Sequence, residues 1–339
     1  MKAIAVTEPG KLAITEIPMP SAPDEDEVVI KIKAAGICGS DSHIYHGRSA
    51  FATYPRIIGH EMAGEVYRTG SSVKGFKPGD RVAVDPVLSC GNCYACRTGR
   101  HNVCSSVKVL GVHVDGGYRE YIKVGSGNVH KVPDDMPWEI AATVEPYSIA
   151  AESVDRGRLK SDDTVLICGA GPIGLVILQA VKRKGAKAIV LDIVDSRLHK
   201  AHTMGADIIV NSKDQDLYKT VMDFTGGEGI NLVFEATGNL AILEQCISRL
   251  VSQAGRVVVL GFPNEPAKIA PIEIMKRELD ILGSRLNNNK FPEVIRWFRD
   301  GEVDPSKIIS NVFPFDKAQE AFDLSDKASD KVCKIILTF

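Results

Sequence analysis

The strongest constraint on folding is an apolar strand that runs straight into a glycine-rich turn and a helix, Val165-Leu166-Ile167-Cys168-Gly169-Ala170-Gly171-Pro172-Ile173-Gly174-Leu175. In such a unit the first glycine permits the tight turn, the second lets backbone approach a pyrophosphate, and the third lets helix and sheet pack closely. Pro172 and Ile173 open the helix, where the N–H that proline lacks would be unpaired anyway. The remaining free N–H groups of the helix start then face an anion. Asp192 ends the next apolar stretch 23 residues after Gly169. A carboxylate there accepts hydrogen bonds from ribose hydroxyls and repels a 2′-phosphate, which favours NAD over NADP. Arg197 could instead accommodate that phosphate, but it falls on the following helix. The motif therefore predicts a dinucleotide site made by Gly169, Gly171, Pro172, Ile173, Gly174 and Asp192, with Arg197 nearby; a purely structural glycine turn is the alternative.

From about residue 150 to 284, strands at 164–168, 188–192, 207–210, 232–235, 256–260 and 280–282 alternate with amphipathic helices. Six strands in two runs of three are the pattern of a doubly wound parallel sheet. Residues 1–148 read differently, as short strands (28–34, 63–67, 81–84) punctuated by glycine and proline with weak helical periodicity. That predicts an all-β or barrel-like region. Residues 285–339 carry an amphipathic helix over 291–298 and an apolar strand over 332–337, too little for a third domain, and are expected to pack back on the first. A length of 339 residues suits two domains.

Of eight cysteines, Cys168, Cys246 and Cys333 are scattered singly through apolar stretches and read as small core residues, while five fall in the first third of the chain. Cys90, Cys93, Cys96 and Cys104 follow one another at spacings of 3, 3 and 8. Two-residue gaps let a tight turn aim successive thiolates at one ion, and four thiolates form a closed tetrahedral zinc shell with no place for substrate. The site is therefore expected to be structural, holding a loop too poor in apolar residues to fold alone. Disulfides and an iron–sulfur cluster are the alternatives for that spacing. The start of the sequence has charges throughout and no apolar stretch of signal-peptide type, so a reducing, cytoplasmic setting is expected, where clustered thiols hold metal.

Cys38 lies outside that loop, in Gly36-Ile37-Cys38-Gly39-Ser40-Asp41-Ser42-His43, followed by Gly59-His60-Glu61 and, much later, by Glu145 in an otherwise apolar run. A catalytic zinc takes about three protein ligands and keeps one position open. Cys38, His60 and a carboxylate would make such a set, although alone a Cys is usually core, a His-Glu pair usually surface, and a Glu in an apolar stretch can be an ion pair. The 41 Lys and Arg residues balance 43 Asp and Glu, so no electrostatic pull toward nucleic acid or anionic membrane is expected. The longest apolar run, 164–181, is broken by three glycines and a proline and is no membrane span.

Taken together, the Gly-His-Glu step, the four-cysteine loop and the glycine fingerprint occur in the order found in the zinc-dependent medium-chain dehydrogenases, which the chain resembles along its whole length. The resemblance implies an α/β fold with a β-barrel: a GroES-like catalytic domain over 1–149, completed by 286–339, and a doubly wound parallel Rossmann sheet over 150–285. It implies two zinc ions per chain, one catalytic and one structural, with NAD as hydride acceptor. Cys38, His60 and Glu145 match the catalytic-zinc positions, and Glu61 matches a second carboxylate that either ligates the metal or bonds its water. Ser40 and His43 match a proton relay. Thr237 and Gly261 match positions bordering the nicotinamide. A carboxylate rather than a cysteine at Glu145 points to the polyol and sugar-acid branch, with Arg285 beside the substrate and Arg48 a weaker second candidate. The implied activity is oxidation of a secondary alcohol in a polyol or sugar acid of L-gulonate or L-galactonate type, by a homodimer or homotetramer. A threonine-type dehydrogenase, and a non-catalytic NAD or metabolite sensor on the same scaffold, are the alternatives. His46, His101, His113 and His130 receive no role.

Overall fold

Apolar residues alternate with polar ones along the early strands, and glycine or proline follows most of them within two residues. The result in the computed structural model, which describes residues 1–328 and 330–339, is a β-rich first unit of Met1–Ser148, Asn287–Asp300 and Ile309–Phe339. Its strands are β1 (Lys2–Glu8), β2 (Lys11–Glu16), β3 (Glu27–Ile37), β4 (Arg56–Ile57), β5 (Glu61–Thr69), β6 (Arg81–Val84), β7 (Val87–Leu88), β8 (Lys108–Val109), β9 (Tyr121–Gly125) and β10 (Val129–Lys131). The main sheet runs β10-β6-β5-β3 and is continued by two strands from late in the sequence, with β9 also paired to β3. Its inward residues, Val28, Ile30, Ile32, Val66, Val82 and Ile122 among them, form one core.

The second unit comprises Ile149–Leu286 and Gly301–Ile308. It holds β11 (Thr164–Cys168), β12 (Lys187–Asp192), β13 (Ile208–Asn211), β14 (Ile230–Glu235), β15 (Val251–Val259) and β16 (Asp280–Gly283), every neighbouring pair parallel. The order β13-β12-β11-β14-β15-β16 reverses direction at β11, where open α/β sheets bind ligands. Helix Pro172–Arg183 begins one residue after Gly171. A Cβ on Gly174 would lie 1.7 Å from the Gly169 carbonyl oxygen, so only glycine lets this helix sit against the turn. Back in the first unit, β17 (Ile309–Pro314) and β18 (Lys334–Thr338) complete the main sheet.

The expectation of weak helicity before residue 150 is corrected by helices at Gly39–Tyr45, Trp138–Ala142 and Val144–Arg156. The segment 140–151 is buried on nearly all sides, and a helix without a solvent face shows no period in its sequence. Residues 301–308 belong with the second unit rather than the first, because the Gln179 side chain bonds both backbone groups of Asp304 (2.8 and 3.1 Å) and Arg183 pairs with Glu302. Two of the isolated cysteines prove to be a pair: Cys168 and Cys246, both fully buried, place their sulfurs 3.8 Å apart. Cys333 is only half-buried.

His130 on β10 packs its ring on Phe291, centroids 5.2 Å apart, and burial pushes its pKa down from 6.5 to about 4. Between those values the unfolded chain takes up a proton that the folded chain refuses, so stability falls as pH is lowered through that window. The melting temperature of a His130→Phe variant should drop less than the parent's between pH 6.5 and pH 4, measured by calorimetry.

Candidate active site

Two chain segments meet at one end of the β3–β5 pair. Cys38 follows β3, His60 immediately precedes β5, and Glu61 opens β5 opposite Gly36. Their donor atoms lie within 4.8 Å of one another, with His60 and Glu61 buried and Cys38 half-buried. Two glycines make this possible. A Cβ on Gly36 would lie 2.0 Å from Glu61 Oε2, and Gly59, at φ +93°, would drive a Cβ to 2.1 Å from the Tyr118 ring.

A fully buried carboxylate organises these donors. Asp41 accepts hydrogen bonds from the backbone N–H of Cys38 (2.9 Å) and of Gly59 (3.1 Å), and its Oδ1 stands 3.5 Å from His60 Nδ1. Tyr118 donates to the Gly36 carbonyl (2.9 Å), with its oxygen 3.3 Å from Asp41 Oδ2. Burial and the neighbouring acidic groups both act on His60 and Tyr118. Burial alone would lower the His60 pKa, but Asp41 and Cys38 lift it well above 6.5. Burial, aided by Asp41, Glu61 and Cys38, drives Tyr118 well above 10.

Among the described residues, Glu61 Oε2 and His60 Nδ1 are buried without a hydrogen-bond partner. A soft thiolate, an imidazole and a carboxylate converging in a negative pocket fit zinc. Glu145, in the first turn of helix Val144–Arg156, is buried in the same unit but lies outside the set of mutually close donors. Burial raises its pKa to about 8, opposed by His60 and reinforced by Glu61. Ser40 is exposed with Oγ 3.9 Å from Cys38 Sγ, and His43, also exposed, lies one turn further along helix Gly39–Tyr45.

The four-cysteine loop brings all its sulfurs within 4.8 Å of one another. The Cys93–Cys96 and Cys90–Cys104 pairs are 3.5 and 3.4 Å apart, near the ~3.8 Å edge of a tetrahedron with ~2.3 Å Zn–S bonds. Backbone N–H groups of Ser105 and Cys96 pull the Cys93 thiol down to about 5, while burial and its thiol neighbours push Cys96 up to about 11. Asn288 pins the loop, accepting from the His101 N–H and donating to the Gly99 carbonyl.

In the second unit Asp192 is held by the backbone N–H groups of Ala170 (2.7 Å), Ile193 (2.7 Å) and Val194 (3.0 Å), leaving lone pairs for a ligand. Open space lies over Gly171, where a Cβ would meet nothing within 4 Å. Arg197 is on helix Asp195–Thr203. Thr237 packs its methyl against Gly169, and its hydroxyl donates to the buried Glu235. Gly261 abuts the Gly238 backbone. Arg285 follows β16, half-buried.

The sequence reading passed over three residues that the structure places here, Asp41, Tyr118 and Lys334. Asp41 had a signal in its position three residues after Cys38, where a carboxylate can cap the helix start. Lys334 had one as a lone charge in an apolar strand. Tyr118 had none beyond the glycines before it.

A two-unit fold with a zinc-type donor set and a dinucleotide turn defines a zinc-dependent, nicotinamide-linked oxidoreductase. Residues 24–134 match the alcohol dehydrogenase GroES-like domain and residues 172–300 the zinc-binding dehydrogenase family. The chain belongs to the zinc-binding medium-chain alcohol dehydrogenases. It is 44% identical to starvation-sensing protein RspB of Escherichia coli strain K12, covering 100% of this chain and 99% of RspB. A crystal structure of RspB from E. coli CFT073 with NADH superposes with a TM-score of 0.95 at 42% identity, covering 100% and 99% of the two chains. Sorbitol dehydrogenase of Bacillus subtilis strain 168 is 36% identical, over 99% of this chain and 97% of that one. L-galactonate-5-dehydrogenase of E. coli K12 is 32% identical, over 96% and 94%. The protein is thus an NAD-linked oxidoreductase acting on CH–OH groups, and among its described residues no helix is long and apolar enough to cross a membrane.

Cys104→Ser should lower the zinc content from about two ions per chain to about one and make the loop around Cys90–Arg100 a site of early proteolysis. Elemental analysis and limited digestion check this.

Proposed function

We propose that the protein oxidises a secondary alcohol of a polyol or sugar acid, of L-gulonate or L-galactonate type, with NAD as acceptor. The observation that carries this reading is the convergence of Cys38, His60 and Glu61 into one buried, negatively charged donor set, on a chain whose other unit carries the dinucleotide turn. The finer choice of substrate is supported by the carboxylate at Glu145, by the cation at Arg285, suited to an anionic sugar acid, and by relatives named for sorbitol and L-galactonate.

When bound, zinc supplies a Lewis acid that lowers the pKa of an alcohol, and NAD accepts the hydride with its electron pair. The chain's own residues do the rest. Cys38 and His60 would hold the metal, with Glu61 and Glu145 as the carboxylates available to it, and Asp41 stands beside the imidazole, 3.5 Å from Nδ1. Ser40 takes the hydroxyl proton and His43, exposed to water, passes it to solvent. Asp192 accepts from the adenosine ribose while the N-terminus of helix Pro172–Arg183 takes the pyrophosphate. The balance is one alcohol and NAD⁺ giving one ketone, NADH and a proton. Pairing through the β16 edge, where Ile281 is 38% exposed, would give the expected homodimer, and a second interface would be needed for a homotetramer.

Zinc-replete protein mixed with NAD and a panel of hexitols, L-gulonate and L-galactonate should generate NADH absorbance with at least one of them. Silence across the panel removes the substrate class. Cys38→Ser should lower that turnover by roughly 10²–10³-fold or more while NAD binding stays intact, as fluorescence titration will show. Asp192→Ala should shift the NAD-to-NADP affinity ratio by roughly tenfold or more; an unchanged ratio discards the ribose role.

A further inference from the structure

The catalytic unit contains a cation that the proposed chemistry leaves unused. Lys334, the first residue of β18, is 2% exposed. Its Nζ donates to the Ile37 carbonyl (3.0 Å) and to Glu61 Oε1 (2.5 Å). The register fixes it there, because Ile335 pairs with Ile37 and Ile336 with Gly36 on β3. The two oxygens of Glu61 are therefore unlike: Oε1 is tied to a buried ammonium, and Oε2, in the notch over Gly36, has no partner among the described residues.

A carboxylate with both oxygens free grips a divalent ion strongly and can occupy two coordination places. One whose charge is shared with a lysine offers a single, weaker donor. Groups behind the ligands commonly change metal affinity by about 10–100-fold, and a catalytic zinc needs its open position more than it needs tight binding. We infer that Lys334 is a positioning residue: by holding Glu61 back through Oε1, it keeps that carboxylate a one-oxygen, releasable donor and leaves room on the metal for the alcohol. This rests on the zinc reading of Cys38, His60 and Glu61 above.

The sign separates this role from simple charge neutralisation. If Lys334 restrains Glu61, Lys334→Met and Lys334→Gln should release the carboxylate onto the metal. The more labile of the two zinc ions should then leave to a chelator roughly tenfold more slowly than in the parent. Cobalt(II) exchanged into that site should require roughly tenfold more imidazole to shift its visible spectrum. Lys334→Arg should restore parental behaviour, and in a Glu61→Gln background Lys334→Gln should change neither readout. Unchanged or faster metal loss in a folded Lys334→Gln protein, or an effect that persists without the Glu61 carboxylate, overturns the inference. Lys334→Gln keeps a side-chain donor for Ile37, which guards against misfolding of the methionine variant. A parent chain that binds only one zinc, in the cysteine loop, removes the active-site reading itself and is distinguished by metal analysis before any variant is made.

Discussion

Buried negative charge in the first unit is the constraint on which the remaining structure turns. Asp41, Glu61 and Glu145 are all buried, and the Cys38 thiol adds to them. Removing such groups from water is costly unless each is paired or hydrogen-bonded. The fold meets the demand with backbone N–H groups aimed at Asp41, with the buried Lys334 on Glu61, and with the His60 imidazole 3.5 Å from Asp41. Seen this way, the glycines at 36 and 59 are not loop filler. They clear the space into which the acidic and aromatic side chains must pack.

The second unit handles charge by the opposite means. Its glycine turn has no metal-type donor cluster among the described residues, opens a helix at Pro172, and holds the one carboxylate of Asp192 on backbone N–H groups of Ala170, Ile193 and Val194. Its sheet is a run of apolar strands buried on both faces, with Leu166, Ile167, Val190 and Phe234 inaccessible to solvent. A frame packed in that way places the Gly169–Gly174 turn at the strand end from which helix Pro172–Arg183 starts. The two halves of the chemistry thus sit on scaffolds with different logics, one polar and cross-braced, the other apolar and layered.

Much of this was legible in the residues. The parallel strands around Val165 and Asp192 announced themselves because strands buried on both faces are short, apolar and bounded by glycine. The cysteine loop was legible because ligand spacing is local. Helix Val144–Arg156 was not, since burial on most sides erases its period, and with it went the fact that Glu145 stands in a first helical turn. The pairing of Cys168 with Cys246 was hidden for another reason: their 3.8 Å approach comes from the stacking of helix on sheet, which no sequence interval encodes. Lys334 is the same case across a wider gap, meeting Glu61 273 positions away only because β18 enters the sheet beside β3.

That entry has a consequence for how the protein is made. β18 lies between β3 and β17, yet it emerges from the ribosome only after the entire nucleotide-binding unit. During synthesis the first unit must wait with the Ala34–Ile37 end of β3 lacking its β18 partner and Glu61 without its ammonium, while the second unit already has all of its residues. Maturation of the two halves is therefore out of step, and the half that begins first is the one that finishes last.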